Sequence, residues 1–217
     1  MARRTKVEAL ETREKLLGSA LEVMCDKPFS RVSMSEIAER VGFSKGAAYW
    51  HFKNKHELLL NVVQNLCELV QRELFDGCGA QADLRDVREY FRRKMHNATR
   101  SKRMHMMIKL VNRRGEWPDD LRERVIEVLI ARNRTEREMV ERALVRARSD
   151  GRIGSGIPAG DLSLLITAVF QGLFIFHLHE FYSLDFAKYT DFIFDAFEIA
   201  AKSGGNSGEY PAEGRSA

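Results

Sequence analysis

The sequence has little of several residue types, and each shortage excludes a class of protein. Only 4 prolines and 15 glycines occur among 217 residues, so long uninterrupted helices are permitted. The three cysteines, Cys25, Cys67 and Cys78, show no CxxC spacing. This usage argues against a structural zinc site and a disulfide scaffold, and it fits reduced thiols in a cytoplasmic protein.

Long apolar segments are also missing. The N-terminal stretch MARRTKVEAL has no apolar signal core. The run around Leu162–Phe176 is interrupted by polar residues and falls short of the roughly 18 to 20 apolar residues that a membrane span needs. We therefore expect a soluble, cytoplasmic protein with no membrane partner.

Patterns that indicate catalysis are absent too. No Ser-His-Asp arrangement, glycine-rich phosphate loop or carboxylate pair stands out. His177 and His179 are two positions apart, which on a helix separates the two imidazoles by about 200°, so joint metal ligation is not expected. The sequence predicts a protein that is not an enzyme, holds no metal and uses no cofactor.

Positive charge is concentrated near the N-terminus. Residues 1–55 contain 11 Lys and Arg against 7 Asp and Glu, whereas residues 56–217 contain 24 of each. The whole excess thus lies in one quarter of the chain, as in a phosphate-binding module. A second basic region, residues 85–148, has 19 basic and 10 acidic residues. These basic residues either form a solvated helix face or influence the charge of the ligand that the protein binds.

The stretch RVSMSEIAERVGFSKGAAYWHFKNK predicts two short helices joined by a tight turn. Ser33 is followed three residues later by a glutamate, a capping-box spacing that marks the start of the first helix. Gly42 suits the left-handed residue just past its end, and Ser44 can cap the second helix. The second, recognition helix is expected over Lys45–His51. This layout is a helix-turn-helix, which places one helix in the major groove of DNA.

The predicted recognition helix combines small residues, one lysine and four consecutive aromatic rings. Gly46 and Ala47 let the backbone approach the groove floor, and Lys45 can reach base edges. Four consecutive rings cannot all point inward on a helix of 3.6 residues per turn. At least two are therefore expected to face outward towards phosphates, with Phe52 in the core. Asn54 is expected to cap the next helix, whose first turn forms an anion site together with a lysine.

These residues carry a resemblance to a known family. The opening MARRTKVEALET and the segment GAAYWHFKNK resemble the DNA-binding domain of TetR-family transcriptional repressors, and most of all the AcrR-type regulators of multidrug efflux. The resemblance covers about residues 1–60. It implies contact with double-stranded operator DNA from the recognition helix, the helix before it and the lysine of the helix after it. With the terminal arginines, the predicted contacts are Arg3, Arg4, Ser33, Ser44, Lys45, Gly46, Ala47, Tyr49, Trp50, His51 and Lys55.

The remainder of the chain reads as helices only, so we expect an all-α protein of about nine helices. Residues 1–55 form the predicted helix-turn-helix DNA-binding domain. Residues 56–202 form a helical ligand-binding and dimerisation domain, and residues 203–217 a disordered tail rich in Gly, Ser and Glu.

The last two helices are expected to pair two copies of the chain in a four-helix bundle. A single helix-turn-helix cannot read a two-fold operator alone, and the resemblance implies such pairing. These helices could instead complete the core of one subunit. The predicted interface residues are Leu165, Val169, Gly172, Leu173, Phe176, Phe192 and Phe197.

The resemblance also implies a cavity for a small-molecule effector. Methionine and aromatic side chains adapt to varied apolar shapes, although each candidate also fits ordinary core packing. Because the middle helices are basic, the sequence does not decide whether the ligand is cationic, anionic or neutral. The candidates are Phe91, Met104, Met107, Trp117, Phe170, Phe174 and His177.

Together these features predict a homodimeric repressor of a multidrug efflux operon that a small apolar ligand releases from its operator. The alternative is a DNA-binding regulator controlled by a protein partner or by oxidation of Cys67 or Cys78.

Overall fold

The computed structural model describes residues 6–75, 81–154, 156–178 and 185–203. Within these ranges the chain forms α-helices and two short 3-10 turns, with no strand, and the all-α prediction is confirmed. The helices are α1 (Lys6–Asp26), α2 (Met34–Glu39), α3 (Lys45–His51), α4 (Lys55–Phe75), α5 (Leu84–Arg100), α6 (Lys102–Asn112), α7 (Asp119–Ser149), α8 (Ala159–Leu178) and α9 (Phe186–Ser203). The sequence predictions for Arg3, Arg4, Cys78, His179 and residues 204–217 of the predicted tail lie outside the described residues. Ser203, the first residue of that predicted tail, is instead the last residue of α9.

The chain divides into two compact units. Unit 1 comprises residues 1–74 and 97–134, and unit 2 comprises residues 75–96 and 135–217. The helix-turn-helix lies wholly in unit 1, which extends beyond the predicted boundary at residue 55. Helices α5 and α7 each contribute residues to both units.

The core of unit 1 is built on α1, whose inward face is apolar. Leu16 and Ala20 are fully buried, as are Ile37 of α2 and Leu58 of α4. The buried Ser19 hydroxyl donates to the carbonyl oxygen of Ile37 over 2.8 Å, which ties α1 to α2. This apolar packing and the Ser19 hydrogen bond hold the helix-turn-helix against α1.

Helix α6 is also attached to α1 within unit 1. The Cys25 thiol donates to the carbonyl oxygen of Met106 over 3.2 Å. In return, Nη1 of Arg113 donates to the carbonyl oxygen of Cys25 over 3.1 Å, and its Nε donates to Glu116 over 3.0 Å. The C-terminal end of α1 is therefore bonded to the middle of α6 and to the residue that follows it.

Unit 2 has an aromatic core. The rings of Phe91 and Phe170 are stacked with centroids 4.1 Å apart, and Phe194 of α9 packs against both. A buried ion pair lies beside this cluster. Nζ of Lys94 lies 5.4 Å from the centre of the Phe91 ring and within 2.7 Å of both carboxylate oxygens of Glu136.

Helix α8 is strongly apolar. The sequence predicts that this run is too short for a membrane span, yet a 19-residue stretch, Ala159–His177, reaches the length and mean hydropathy of a span, at 1.7. Only 28% of that stretch is buried within this chain. Helices covered by other protein helices satisfy the same two criteria, so length and composition are weak evidence for a membrane. What they establish is an apolar helix with an uncovered face.

Candidate DNA-binding surface

A serine caps the start of each helix of the helix-turn-helix, and a glycine lies in the turn between them. The Ser33 hydroxyl accepts a hydrogen bond from the N–H of Glu36, and the Ser44 hydroxyl accepts one from the N–H of Ala47, each over 3.2 Å. Gly42 has φ +75°, the left-handed region that glycine enters without a steric penalty. The predicted caps and the bounds of the recognition helix are thus present in the structure.

The predicted capping box at α2 forms only in part. The hydroxyl of Ser33 caps the helix, but the carboxylate of Glu36 pairs with the ammonium of Lys27 at the end of α1. This long-range partner replaces the local one, so the same glutamate links α1 to α2.

Helix α3 has a buried face and an exposed face. Ala48 and Phe52 are 0% and 1% exposed, whereas Tyr49 and Trp50 are 46% and 71% exposed. Nζ of the exposed Lys45 lies 5.8 Å from the centre of the Tyr49 ring. The expectation that two rings face outward while Phe52 enters the core is confirmed. A lysine, a phenol and an indole therefore share one solvent-facing surface.

The smaller members of the predicted contact set lie on or beside this surface. Gly46 is exposed, and a Cβ built there would meet only the Ser44 hydroxyl at 3.7 Å, an ordinary contact. Packing within the chain therefore does not require a glycine at this position. Ala47 is half-buried. The half-buried His51 ring packs edge-on against Trp50 with centroids 4.5 Å apart.

Lys55 makes contacts that the sequence does not predict. Its Nζ donates to the carbonyl oxygens of Phe29, Ser30 and Val32 over 2.9, 3.3 and 3.4 Å. The ammonium also lies 4.7 Å from the centre of the Phe29 ring. It is therefore engaged by the connector between α1 and α2, whereas the sequence predicts a phosphate contact.

The start of α4 is capped as predicted. The side-chain oxygen of Asn54 accepts from the N–H of Glu57 over 2.9 Å, and the Glu57 carboxylate accepts from the N–H of Lys53 over 2.7 Å. The reciprocal bond reaches one residue further back than in a standard capping box. Because the cap residue follows α3 after only two residues, this bonding also fixes the end of the recognition helix.

Arg13 packs against the buried end of the recognition helix, a role that the sequence does not predict. Its guanidinium lies 5.3 Å from the centre of the Phe52 ring and donates to the side-chain oxygen of Asn61. An arginine in the middle of a helix gives no local signal of this role, since its partners are 39 and 48 positions away.

The predicted ligand residues divide between the two units. In unit 1, Met104, Met107 and Trp117 are buried. In unit 2, Phe91 and Phe170 are fully buried in their stack. The other two, Phe174 and His177, are half-buried, and the His177 ring packs edge-on against Phe186 at 5.0 Å.

A surface groove of about 510 Å³ runs along the second half of α7. None of the seven predicted ligand residues lines it. Its lining residues are Glu138, Glu141, Arg142, Val145, Arg146 and Ser149.

The predicted dimer residues lie along an exposed apolar surface of α8 and α9, which we call the α8–α9 face. Val169, Phe176 and Phe192 are 39%, 47% and 68% exposed. Further large apolar side chains are exposed on the same two helices, although no interface was predicted for them. The α8–α9 face comprises Leu164, Leu165, Val169, Ile175, Phe176, Tyr189, Phe192 and Ile199. Of the other predicted interface residues, Gly172, Leu173 and Phe197 are half-buried.

Cys67, proposed as a redox-sensitive thiol in the alternative reading, is buried. Burial is the main cause that raises the pKa of its thiol, and the neighbouring Glu68 raises it further while Arg132 lowers it. A buried thiol with a raised pKa holds little of the reactive thiolate, so this environment argues against oxidation as the signal. Burial likewise raises the pKa of Cys25.

Comparison with known proteins supports the resemblance. Residues 16–62 match the profile of the family described as "Bacterial regulatory proteins, tetR family". The chain is 27% identical over 178 residues to the probable acrEF/envCD operon repressor of Escherichia coli (strain K12), covering 80% of this chain and 79% of that protein. It is 45% identical over 62 residues to the HTH-type transcriptional regulator AcrR of Shigella flexneri, covering 29% of each.

A solved structure agrees over most of the chain. The complex of SmeT with triclosan superposes with a TM-score of 0.74 and 25% sequence identity, covering 92% of this chain and 98% of the other. SmeT is described as the repressor of the Stenotrophomonas maltophilia multidrug efflux pump SmeDEF. The fold and the exposed recognition helix thus define a helix-turn-helix regulator. Residues 16–62, which contain the recognition helix, form a helix-turn-helix domain of the TetR family of bacterial regulatory proteins.

Proposed function

We propose that this protein is a homodimeric, cytoplasmic repressor that binds a two-fold operator and is released from it by a small apolar ligand. We further propose that it controls a multidrug efflux operon. The observation that carries the proposal is the recognition helix, whose inward residues are apolar while its outward face holds a lysine, a phenol and an indole. Such a face suits base edges and phosphates in a major groove.

The proposed base contact is Lys45, with Gly46 and Ala47 allowing the backbone to come close. Tyr49 and Trp50 would donate to phosphates, as would the half-buried His51. The two cap hydroxyls, at Ser33 and Ser44, lie at the N-terminal ends of α2 and α3, where anions are favoured. Their side-chain oxygens accept from backbone N–H groups, which leaves the hydroxyl hydrogens able to donate to phosphate.

Dimerisation through the α8–α9 face would supply the two-fold symmetry. Exposed large apolar side chains that lie together are typical of an interface between proteins. A second copy would cover the same surface on both partners, an isologous contact. Two recognition helices would then reach half-sites about one helical turn apart.

Ligand response is supported by the relatives and by the position of α6. SmeT binds triclosan, and both SmeT and the E. coli relative are described as repressors. Here α6 carries the candidate residues Met104 and Met107 and is hydrogen-bonded to the end of α1 through Cys25 and Arg113. A ligand that favours one position of α6 would therefore favour one position of α1, and its differential affinity for the two states would set the degree of release.

Selection of duplexes from a randomised library tests operator binding. We expect the wild-type protein to select duplexes with two-fold symmetry. Fluorescence anisotropy should then show that triclosan, or another compound from a panel of apolar molecules, releases the selected duplex. Selected sequences without two-fold symmetry would contradict the dimeric reading. Binding that no compound affects would contradict the ligand response.

Base reading by Lys45 is tested separately. Lys45→Ala should lose roughly 1–3 kcal/mol of discrimination at one base pair of each half-site while other positions keep their preference. The matched control is Lys15→Ala, which removes an exposed lysine of α1 outside the predicted contacts. An unchanged sequence preference in Lys45→Ala would show that another group reads the base.

A further inference from the structure

The side chain of Lys55 joins the segment just before the helix-turn-helix to the helix just after it. Lys55 is the first residue of α4, and its ammonium bonds the connector that leads into α2. Between Val32 and Lys55 the chain runs through α2, the turn and α3. These hydrogen bonds therefore hold together the two points where the helix-turn-helix begins and ends.

The chemistry of the contact accounts for all three donors of the ammonium. A lysine ammonium has three N–H groups, and three carbonyl oxygens lie within hydrogen-bond distance. The carbonyls of Phe29 and Ser30 belong to the 3-10 turn Phe29–Arg31, whose terminal carbonyls have few partners inside the turn. Phe29, whose ring faces the ammonium, is only 4% exposed, so the charge packs against a buried aromatic side chain.

We infer that Lys55 is a positioning residue, which sets the recognition helix at the angle that operator DNA requires and does not bind phosphate through its ammonium. A phosphate could take the ammonium only by displacing carbonyl oxygens that have partners in the free protein. The inference rests on the proposed operator binding, and it assigns one predicted DNA contact a different role.

Lys55 and Lys53, which lies in the connection just before α4, allow a matched test. Lys55→Met keeps most of the length of the side chain and removes the three donors. Lys53→Met removes the same charge two residues earlier, from an exposed side chain. Any general loss of attraction to DNA should be common to both variants, so the difference between them reports the carbonyl bonds.

Three measurements are compared for wild type, Lys53→Met and Lys55→Met. The first is the thermal midpoint without DNA, which should fall by about 2–8 °C in Lys55→Met and hardly change in Lys53→Met. The second is affinity for the duplex that the wild-type protein selects and for an unrelated duplex, at a temperature well below both midpoints. The third is the dependence of the selected-duplex affinity on salt concentration.

A positioning role predicts that Lys55→Met loses about tenfold or more of its affinity for the selected duplex. Affinity for the unrelated duplex should match that of Lys53→Met, and so should the salt dependence. Restoring a donor with Lys55→Arg should recover part of the lost specificity, because a guanidinium can still donate to the carbonyl oxygens.

Two results would overturn the inference. Equal losses on both duplexes, with a slope of log affinity against log salt shallower by about 0.9 for each protomer than in Lys53→Met, would identify a phosphate contact. A lower thermal midpoint with unchanged specificity would identify a role in stability alone. A wild-type protein that selects no duplex would instead contradict the proposed operator binding, so the two failures are distinguishable.

Discussion

Replacing Glu136 with glutamine would remove the counter-charge of a buried ammonium in unit 2. Nζ of Lys94 lies 2.7 and 2.6 Å from the two carboxylate oxygens, and the Tyr90 hydroxyl donates to the same carboxylate over 2.6 Å. The side chains of Lys94 and Glu136 are only 8% and 7% exposed, so water cannot solvate the ammonium once its partner is removed.

The expected loss of stability arises because the buried ammonium of Lys94 stays unpaired. Removing one partner of a buried ion pair typically destabilises a protein by about 3–5 kcal/mol. Glutamine keeps the shape and one acceptor oxygen, so we expect Glu136→Gln to lie near the lower end, at about 3 kcal/mol. Replacing both partners, as in Lys94→Met with Glu136→Leu, should recover most of the loss because no unpaired charge remains.

Urea unfolding measures these differences. Protein concentration must be held constant, because the proposed dimerisation would add to the apparent stability. The matched control is Glu138→Gln, an exposed glutamate on the same helix, which should change stability by no more than about 0.5 kcal/mol. A cost below about 1 kcal/mol for Glu136→Gln would show that the pair is neither desolvated nor closely coupled.

Three further predictions concern other parts of the chain. Asp83 caps α5, and although desolvation is the largest single influence and raises its pKa, hydrogen bonds from Asp86 and Arg85 lower the net pKa. Asp83→Asn should therefore reduce stability at neutral pH, and urea unfolding should show the difference shrink as pH falls below about 3.8 through the lower folded pKa. Cys67→Ser should leave operator binding unchanged in the presence of a thiol oxidant, measured by anisotropy, and an oxidant response that this change abolished would favour the alternative reading. Val169→Glu together with Leu173→Glu should give monomers in analytical ultracentrifugation, and an unchanged dimer mass would contradict pairing through the α8–α9 face.

Local features of the fold could be predicted because their signals lie close together in sequence. The recognition helix begins and ends where its serine cap and the four aromatic residues place it. Asn54 caps the helix that follows it, as expected from its spacing. The outward turn of Tyr49 and Trp50 follows from helix geometry alone, since four adjacent rings cannot share one face.

Pairings over long sequence distances could not be predicted in the same way. Lys94 and Glu136 are 42 positions apart, and in the sequence each is one charge among many in a basic region. Lys55 has a local position that suits phosphate binding, and only the fold reveals three carbonyls from a segment more than 20 residues earlier. Phe91 and Phe170 read equally well as cavity walls or as core, and their stacking at 4.1 Å is a property of packing.

The most direct test of operator binding with ligand release is a titration of the selected duplex with the 217-residue protein, with and without apolar compounds. The account predicts two protomers bound to each two-fold duplex, and a loss of that binding when an effective compound is added. One protomer bound to each duplex, or affinity that none of the compounds lowers, would contradict it.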